Sequence, residues 1–165
     1  MTDREKALMV AGRIHANQTY DIFPYVYHVK RVADVAEELG YDDDIIVACI
    51  LHDSLEDTDL SYGDIQKFFG NGVAEIVFAV TDELGKNRRE RHEKTYAKIR
   101  GNWKAVAVKI CDRIANVAHS KEYTESKIEM YRAEHSEFYC NVHNPEHPEE
   151  ELRKAWNLLH VTMGL

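Results

Sequence analysis

The sequence is poor in the features that mark secreted and membrane proteins. It has only three cysteines in 165 residues, too few and too widely spaced for a disulfide framework. No apolar run reaches the roughly 18 residues that a membrane-spanning helix needs. The first residues, MTDREKALMV, include acidic side chains and do not resemble a secretory signal. We therefore expect a cytoplasmic protein with free thiols and no membrane partner.

Positive charge is also scarce. The 21 Lys and Arg residues are outnumbered by 29 Asp and Glu residues, which gives a formal net charge of −8. Proteins that bind duplex nucleic acid normally carry a basic surface, so we expect no nucleic-acid partner. An acidic chain can still bind a phosphate ester where it supplies a metal ion and local basic groups. The charge therefore leaves a small nucleotide substrate open.

Apolar residues recur at helical spacing through nearly the whole chain. Residues 73–80 are rich in β-branched side chains, but the short polar turns around them favour a helix over a strand. The sequence therefore predicts a single all-α domain over residues 1–165, with roughly seven to nine helices. The predicted helices cover residues 3–16, 28–39, 45–51, 62–69, 73–80, 91–100, 105–118, 125–138 and 152–163, and the predicted polar loops are 82–90 and 141–151, with a helix starting near Pro148.

A cluster of polar side chains follows the most apolar segment. Residues 45–51 are almost entirely apolar and are expected to form the central, most buried helix, which ends in His52 and Asp53. Glu56 and Asp57 come one turn later. Like charges four residues apart destabilise a helix by roughly 0.2–0.5 kcal/mol per pair, so this pattern favours a bound cation or a function. A capped helix end with solvated acids is the other interpretation.

Two further apolar helices carry residues of the same kind. His28 begins one, and Asp112 follows the apolar run 105–111 of the other. With His52 and Asp53 they offer two imidazoles and two carboxylates, a mixed set of ligands that suits Mn²⁺, Fe²⁺, Co²⁺ or Zn²⁺. A histidine at a helix start is also commonly a cap, and Asp112 could pair with the next residue. The residues alone leave both interpretations open.

The remaining histidines near the C-terminus are not expected to bind metal. His135 and His160 are predicted to be surface residues. His143 and His147 are four apart, but Pro145 interrupts any helix between them, so they are not expected to form a second metal site.

Three segments together resemble the HD-domain phosphohydrolases. They are YVYHVKRVADVA, ILHDSLEDTDLSYGDIQKFFGNGVAEIVFAVTDE and VAVKICDRIANVAHS. More closely, they are similar to the hydrolase domain of the RelA/SpoT-type alarmone enzymes and to the stand-alone small alarmone hydrolases. The resemblance covers about residues 5–120 and leaves about 121–165 as a C-terminal helical extension. The matching residues are, in order, His28, His52-Asp53, Glu56-Asp57, Phe69-Gly70, Val80-Thr81-Asp82, and Asp112-Arg113 with Asn116.

The resemblance implies a reaction and roles for these residues. The activity would be attack of water on phosphorus, which releases pyrophosphate from the ribose 3′ position of (p)ppGpp. Glu56 or Asp57 would position or deprotonate the water, or would instead support a metal ligand. Asn116 would contact the nucleotide. One divalent metal, usually manganese, would be held by His28, His52, Asp53 and Asp112.

Basic residues between these motifs are candidates for phosphate binding. The segment GKNRRERHEK interleaves Lys and Arg with Glu, which is also typical of a solvated helix face. In the family this segment folds toward the site. The candidate substrate-binding residues are Arg88, Arg91, Lys109 and Arg113.

The chain departs from the alarmone hydrolases in one segment. These enzymes usually carry a basic pair that contacts guanine, whereas this chain has Thr19-Tyr20-Asp21-Ile22-Phe23 there. Tyr20 or Phe23 would stack a base instead. Three functions therefore stay open: the alarmone hydrolase, an HD phosphohydrolase acting on another nucleotide (a dNTP, a nucleoside monophosphate or NADPH), and a regulatory metal-binding HD module with little turnover.

Overall fold

A computed structural model describes all 165 residues, and it confirms the all-α prediction. The only sheet is a two-stranded antiparallel ribbon, β1 (Thr19–Tyr20) and β2 (Phe23–Pro24), which the helical pattern did not predict. None of the helices is long and apolar enough to cross a membrane. The helices are α1 (Asp3–Ile14), α2 (Tyr25–Glu38), α3 (Asp43–Leu51), the single turn α4 (Ser54–Asp57), α5 (Tyr62–Phe69), α6 (Asn71–Val80), α7 (Arg88–Arg100), α8 (Trp103–Tyr123), α9 (Ser126–Val142) and α10 (Glu149–Met163).

Helix α3 is the centre of the molecule, as predicted. Every residue from Ile45 to Leu51 is buried, and the helix packs against α1, α2, α6 and α8. Full burial of a large aliphatic side chain stabilises a fold by about 1.5–3 kcal/mol. Packing on all sides therefore fixes the helix in the core, and it also fixes the position of the residues at its C-terminal end.

Side-chain caps start five of the ten helices. Asp42 accepts a hydrogen bond from the Ile45 N–H at the start of α3, and Ser61 forms a capping box with Asp64 at the start of α5. Residues 71–80 form a helix, which confirms that preference over a strand. The predicted loop 82–90 is wrong at its end, because the Asn87 side chain accepts from the Glu90 N–H and starts α7 at Arg88.

The C-terminal helices pack onto the same core. Helices α9 and α10 both lie against α8, and residues such as Phe138 and Leu159 belong to the same buried cluster as α3. The prediction that His135 lies at the surface is wrong, because it is only 8% exposed. Its Nε2 lies 2.8 Å from Nε2 of the half-buried His160, so a hydrogen bond between imidazoles joins α9 to α10.

Candidate metal centre and the adjoining cavity

Three helices bring together the four residues that the sequence predicted as metal ligands. Ligand atoms of His28, His52 and Asp53 all lie within 4.8 Å of one another. Asp112 Oδ1 lies 3.1 Å from His28 Nε2 and 3.6 Å from His52 Nε2. Clustered imidazole nitrogens and carboxylate oxygens are a donor set that holds a divalent metal ion. The cluster lies where the start of α2, the end of α3 and the middle of α8 meet.

A break between two helices lets adjacent residues converge. Helix α3 ends at Leu51, and His52 is its C-terminal cap. Asp53 has non-helical backbone angles and is the N-terminal cap of α4. His52 Nε2 and Asp53 Oδ2 are consequently 2.9 Å apart. In an uninterrupted helix, neighbouring side chains would point about 100° apart. The same break places Glu56 and Asp57 on the separate turn α4, and not on a continuing face of α3.

The orientation of His52 is fixed by the helix that carries it. Its Nδ1 lies 2.8 Å from the Cys49 carbonyl oxygen, so the Nδ1–H donates there and Nε2 is directed into the cluster. Burial lowers the pKa of His52, but the charges of Asp53 and Asp112 outweigh burial and raise this pKa to about 9. A metal ion would therefore compete with a proton for Nε2.

The two carboxylates are correspondingly acidic. Burial raises the pKa of Asp53, but the charge and hydrogen bond of His52 hold it far below its usual range. For Asp112, the hydrogen bond to His28 and the charge of His52 outweigh burial and lower the pKa to about 2. Both carboxylates are therefore ionised at neutral pH and available to a cation.

Hydrogen bonds from outside the cluster hold its carboxylates in place. The Tyr25 hydroxyl donates to Asp53 Oδ2. Asn116 Nδ2 donates to Asp112 Oδ1 at 2.8 Å, on the same helix face that their spacing predicted. The Tyr20 hydroxyl in turn donates to Asn116 Oδ1 at 2.5 Å. The role of Tyr25 was not predicted, although its place three residues before His28 puts it on the same face of α2.

Glu56 and Asp57 lie beside the cluster with carboxyl groups that are harder to ionise. Burial raises the pKa of both, and the charge of Asp53 raises it further. Glu56 also accepts a hydrogen bond from the Asp82 N–H, which links the motif after α3 to the Val80-Thr81-Asp82 step. A raised pKa makes a carboxylate a stronger base, which suits proton transfer.

A cavity of about 220 Å³ adjoins Asp112 and Asn116. Four basic side chains line it: Arg88, His92, Lys109 and Arg113. Arg88, Lys109 and Arg113 were predicted as substrate contacts, whereas His92 was not predicted. Arg91 is exposed and is not among the lining residues, so its role stays a prediction. The structure thus places a basic cavity beside the carboxylates in an acidic protein.

Two of these cations are held in the cavity wall. Burial lowers the pKa of Lys109, but the nearby charges of Asp112 and Asp53 outweigh it and raise this pKa. The Arg113 guanidinium lies over the Phe138 ring at 4.2 Å, and its Nη1 is buried without a protein partner. Arg113 Nη2 is 3.7 Å from Glu134, which also binds Arg88 at 3.0 Å. The Arg113 guanidinium is therefore held at the cavity wall between Phe138 and Glu134.

Comparisons with known proteins agree on a family. The chain is 35% identical over 122 residues to a guanosine-3′,5′-bis(diphosphate) 3′-pyrophosphohydrolase of Aquifex aeolicus. This alignment covers 71% of this chain and 17% of that protein. It is 35% identical over 114 residues to the enzyme of the same name, MESH1, from Danio rerio, covering 65% and 63% of the two chains. The chain therefore spans less than two thirds of either relative.

A solved structure and a family model extend these matches. The structure is a metazoan orthologue of SpoT described as hydrolysing ppGpp; it aligns with a TM-score of 0.70 at 22% identity, over 99% of this chain and 93% of that one. This likeness confirms the fold. The family model described as HD domain matches residues 7–146, which is most of the sequence. The chain belongs to the HD domain family.

Proposed function

We propose that this protein is a metal-dependent phosphohydrolase that removes pyrophosphate from the ribose 3′ position of (p)ppGpp. The observation that carries the proposal is that Asp112 contributes both to the ligand cluster and to the wall of the basic cavity. A phosphate bound by the cavity cations would lie next to a cation bound by the cluster. The relatives named above are pyrophosphohydrolases of guanosine 3′,5′-bis(diphosphate), which supports this substrate.

The proposed metal ligands are His28, His52, Asp53 and Asp112. The donors fit a divalent cation, because His52 directs Nε2 inward and both carboxylates are ionised at neutral pH. The mixed nitrogen and oxygen set suits Mn²⁺, Fe²⁺, Co²⁺ or Zn²⁺. We propose Mn²⁺ among them because the resemblance to the alarmone hydrolases implies it. When bound, such an ion supplies Lewis-acid stabilisation of phosphoryl charge and makes water more acidic.

Glu56 and Asp57 are proposed to manage the attacking water. One carboxylate accepts the proton as the water oxygen bonds to the 3′-linked phosphorus. The bond between that phosphorus and O3′ breaks, O3′ takes a proton, and the products are pyrophosphate and GDP or GTP. Their raised pKa values make these carboxyls stronger bases than an ordinary Asp or Glu, which suits proton transfer near neutral pH.

The cavity cations are proposed to bind the departing pyrophosphate. Arg113 offers a guanidinium at the cavity wall, and Lys109 offers an ammonium group among carboxylates. Arginine suits this role because its fixed fork of donors matches phosphate oxygens. Arg88 lies at the same wall and shares Glu134 with Arg113. Asn116, which lines the same cavity, is proposed to position the nucleotide.

A second candidate function is hydrolysis of another nucleotide. The aromatic residues of the ribbon are the observation that supports it. The ring of Tyr20 is covered by His28 at 4.3 Å, and that of Phe23 by Tyr27 at 4.2 Å. Each of the two rings expected to stack a base thus has one face already occupied. Base contacts here differ from the family's basic pair, so a dNTP, a nucleoside monophosphate or NADPH belongs in any substrate test.

The test is a nucleotide panel with the Mn²⁺-loaded protein, run in H₂¹⁸O with products identified by mass. The proposal predicts GDP from ppGpp, with one ¹⁸O in the pyrophosphate because water attacks phosphorus. Turnover of another nucleotide alone would support the second candidate. Bound metal without turnover of any nucleotide would indicate a regulatory module. Asp53→Asn should abolish metal binding and turnover, whereas Asp59→Asn, an exposed carboxylate outside the cluster, should change neither.

A further inference from the structure

A histidine at the end of α1 is connected to the turn that carries the proposed catalytic carboxylates. His15 is the C-terminal cap of α1 and is only 2% exposed. Its Nδ1 lies 2.7 Å from Gln18 Oε1, and because an amide oxygen can only accept, Nδ1 carries the hydrogen and donates it. Gln18 Nε2 in turn donates to the Asp57 backbone carbonyl oxygen at 2.9 Å. Two hydrogen bonds therefore join α1 to α4.

The turn α4 depends on such contacts because it is very short. It has four residues, and no side chain caps its N-terminus. A single helical turn fixes several residues for few hydrogen bonds, so it is not stable by itself. The bond from the Asp82 N–H holds α4 by the Glu56 carboxylate. The bond from Gln18 holds it by the backbone of Asp57, and so occupies neither of the carboxylates that are proposed to act on water.

The His15 ring also contacts the residue that supports Asp53. It packs against the Tyr25 ring with centroids 4.7 Å apart and ring planes 36° from parallel. The Tyr25 hydroxyl donates to Asp53. A hydrogen-bond partner orients a metal-binding carboxylate only while packing fixes the partner itself. His15 therefore supports a proposed metal ligand with its ring and α4 with its Nδ1–H.

The imidazole at this position carries an unpaired nitrogen. His15 Nε2 is buried and has no hydrogen-bond partner in the protein. Such atoms are rare in native structures, since they lose their bonds to water and gain none. An apolar ring would pack against Tyr25 without that loss, but it could not donate to Gln18. The two contacts together account for a histidine here.

We propose that His15 is a positioning residue for the reaction. It fixes α4 through Gln18 and Asp53 through Tyr25, and so keeps the carboxylates of α4 in place relative to the proposed metal ligands. His15 is neither in the ligand cluster nor among the residues that line the cavity beside Asp112. The inference rests on the proposed function, because this placement matters for turnover only if a carboxylate of α4 acts on water.

Gln18→Met tests the link to α4 without changing a fully buried residue. Methionine has a chain of the same length but no amide, so α4 loses its bond to α1. A small displacement of a reacting group can cost about 10²-fold, so kcat for ppGpp should fall at least about tenfold. Mn²⁺ affinity, measured against a chelator, should not change. Gln66→Met, at the exposed glutamine of α5, is the matched control and should change neither. An unchanged kcat in Gln18→Met would overturn the proposal.

Double variants distinguish positioning from a general loss of stability. Gln18→Met is combined with Glu56→Gln and, separately, with Asp57→Asn. In the pair that lacks the base, the position of the turn no longer matters, so Gln18→Met should add no further loss of kcat. Losses that multiply in both pairs would show a merely structural role.

Two substitutions of His15 separate its two contacts. His15→Phe keeps a ring against Tyr25 and loses the donor, so kcat should fall as in Gln18→Met while Mn²⁺ affinity is kept. His15→Asn keeps an N–H near the position of Nδ1 and loses the ring, so Mn²⁺ affinity should fall at least about tenfold. The same profile in both variants would contradict separate roles for the ring and the Nδ1–H.

Hydrogen–deuterium exchange of the Mn²⁺-loaded protein, followed by mass spectrometry, tests the link without turnover. Amides of α4 should exchange faster in Gln18→Met than in the wild type or in Gln66→Met, because the turn opens more often. If the wild type hydrolyses no nucleotide, the proposed function fails, and the exchange still reports on the link. Unchanged exchange in α4 would overturn the link whatever the substrate.

Discussion

The ring of Tyr20 stacks on the imidazole of His28, with centroids 4.3 Å apart and ring planes 12° from parallel. This stacking contact completes a ring of four contacts. Tyr20 donates a hydrogen bond to Asn116, Asn116 donates one to Asp112, and Asp112 contacts His28. A residue of the ribbon therefore holds one proposed ligand by stacking and another through an amide. Tyr20 supports the cluster from the side where the family's basic pair would lie.

Shortening Tyr20 should consequently weaken metal binding. Removing a residue that orients metal ligands typically costs 10–100-fold in affinity, so Tyr20→Ala is expected to lower Mn²⁺ affinity by at least about tenfold. Tyr20→Phe keeps the stacked ring and loses only the bond to Asn116, so its effect should be smaller. Competition titrations against a chelator measure both. Equal affinities for the two variants would contradict a role for stacking.

Metal binding and stability should respond to pH in opposite ways. The folded-state pKa of His52, about 9, exceeds its ordinary value. Its charged form therefore stabilises the metal-free protein below about pH 6.5, and this contribution is lost as the pH rises through the folded-state pKa. A metal requires the neutral imidazole, so Mn²⁺ affinity should rise over the same interval.

Thermal unfolding of the metal-free and the Mn²⁺-loaded protein, measured from about pH 6.5 to about pH 9, checks these opposite trends. The unfolding temperature of the chelated protein should fall with rising pH, and the increase caused by Mn²⁺ should grow. Calorimetry in two buffers of different ionisation enthalpy should show proton release on binding at neutral pH. Binding without proton release would contradict a protonated His52 in the metal-free cluster.

Glu56 and Asp57 should affect turnover without affecting metal content. General acid–base groups contribute about 10²–10⁴-fold, so Glu56→Gln or Asp57→Asn, whichever is the base, should lower kcat by that order. The acid limb of the pH–rate profile should disappear in the same variant, because the raised pKa of that carboxyl defines it. Loss of bound metal in either variant would show that the residue supports the ligands instead.

The arginines of α7 and α8 offer a matched comparison. Arg113→Lys removes the guanidinium fork that lies over Phe138, and Arg88→Ala removes a cation of the cavity wall. Both should raise KM for ppGpp, and Arg113→Lys should also lower kcat if the fork binds the departing pyrophosphate. Arg89→Ala, on the same helix as Arg88 but outside the cavity, is the control. An equal effect of Arg89→Ala would place the phosphate elsewhere.

Local signals in the sequence predicted much of the fold. The apolar run 45–51 predicted the central buried helix, because the burial of this segment follows from its own composition. The start of α7 was missed because the basic segment after Asn87 looks like a solvated loop, although Asn87 caps it. Burial of His135 was missed because its partner His160 belongs to another helix.

In the candidate site, too, the residues with a local signal were predicted and the long-range contacts were not. The four proposed ligands were found because each interrupts an apolar helix and together they match a family motif. The hydrogen bonds that support these ligands were not predicted, because Tyr25 and Asp53 are 28 residues apart in the sequence and Tyr20 and Asn116 are 96 apart. Only the packing of α2, α8 and the ribbon brings these pairs together. Contacts of that kind have no local pattern.

The most direct test of the central claim is an anomalous difference map from a crystal of the Mn²⁺-loaded protein. The account predicts one strong peak within coordinating distance of His28 Nε2, His52 Nε2, Asp53 and Asp112, next to the cavity that Arg113 lines. A peak among other residues, or none in a protein shown to contain stoichiometric manganese, would contradict it.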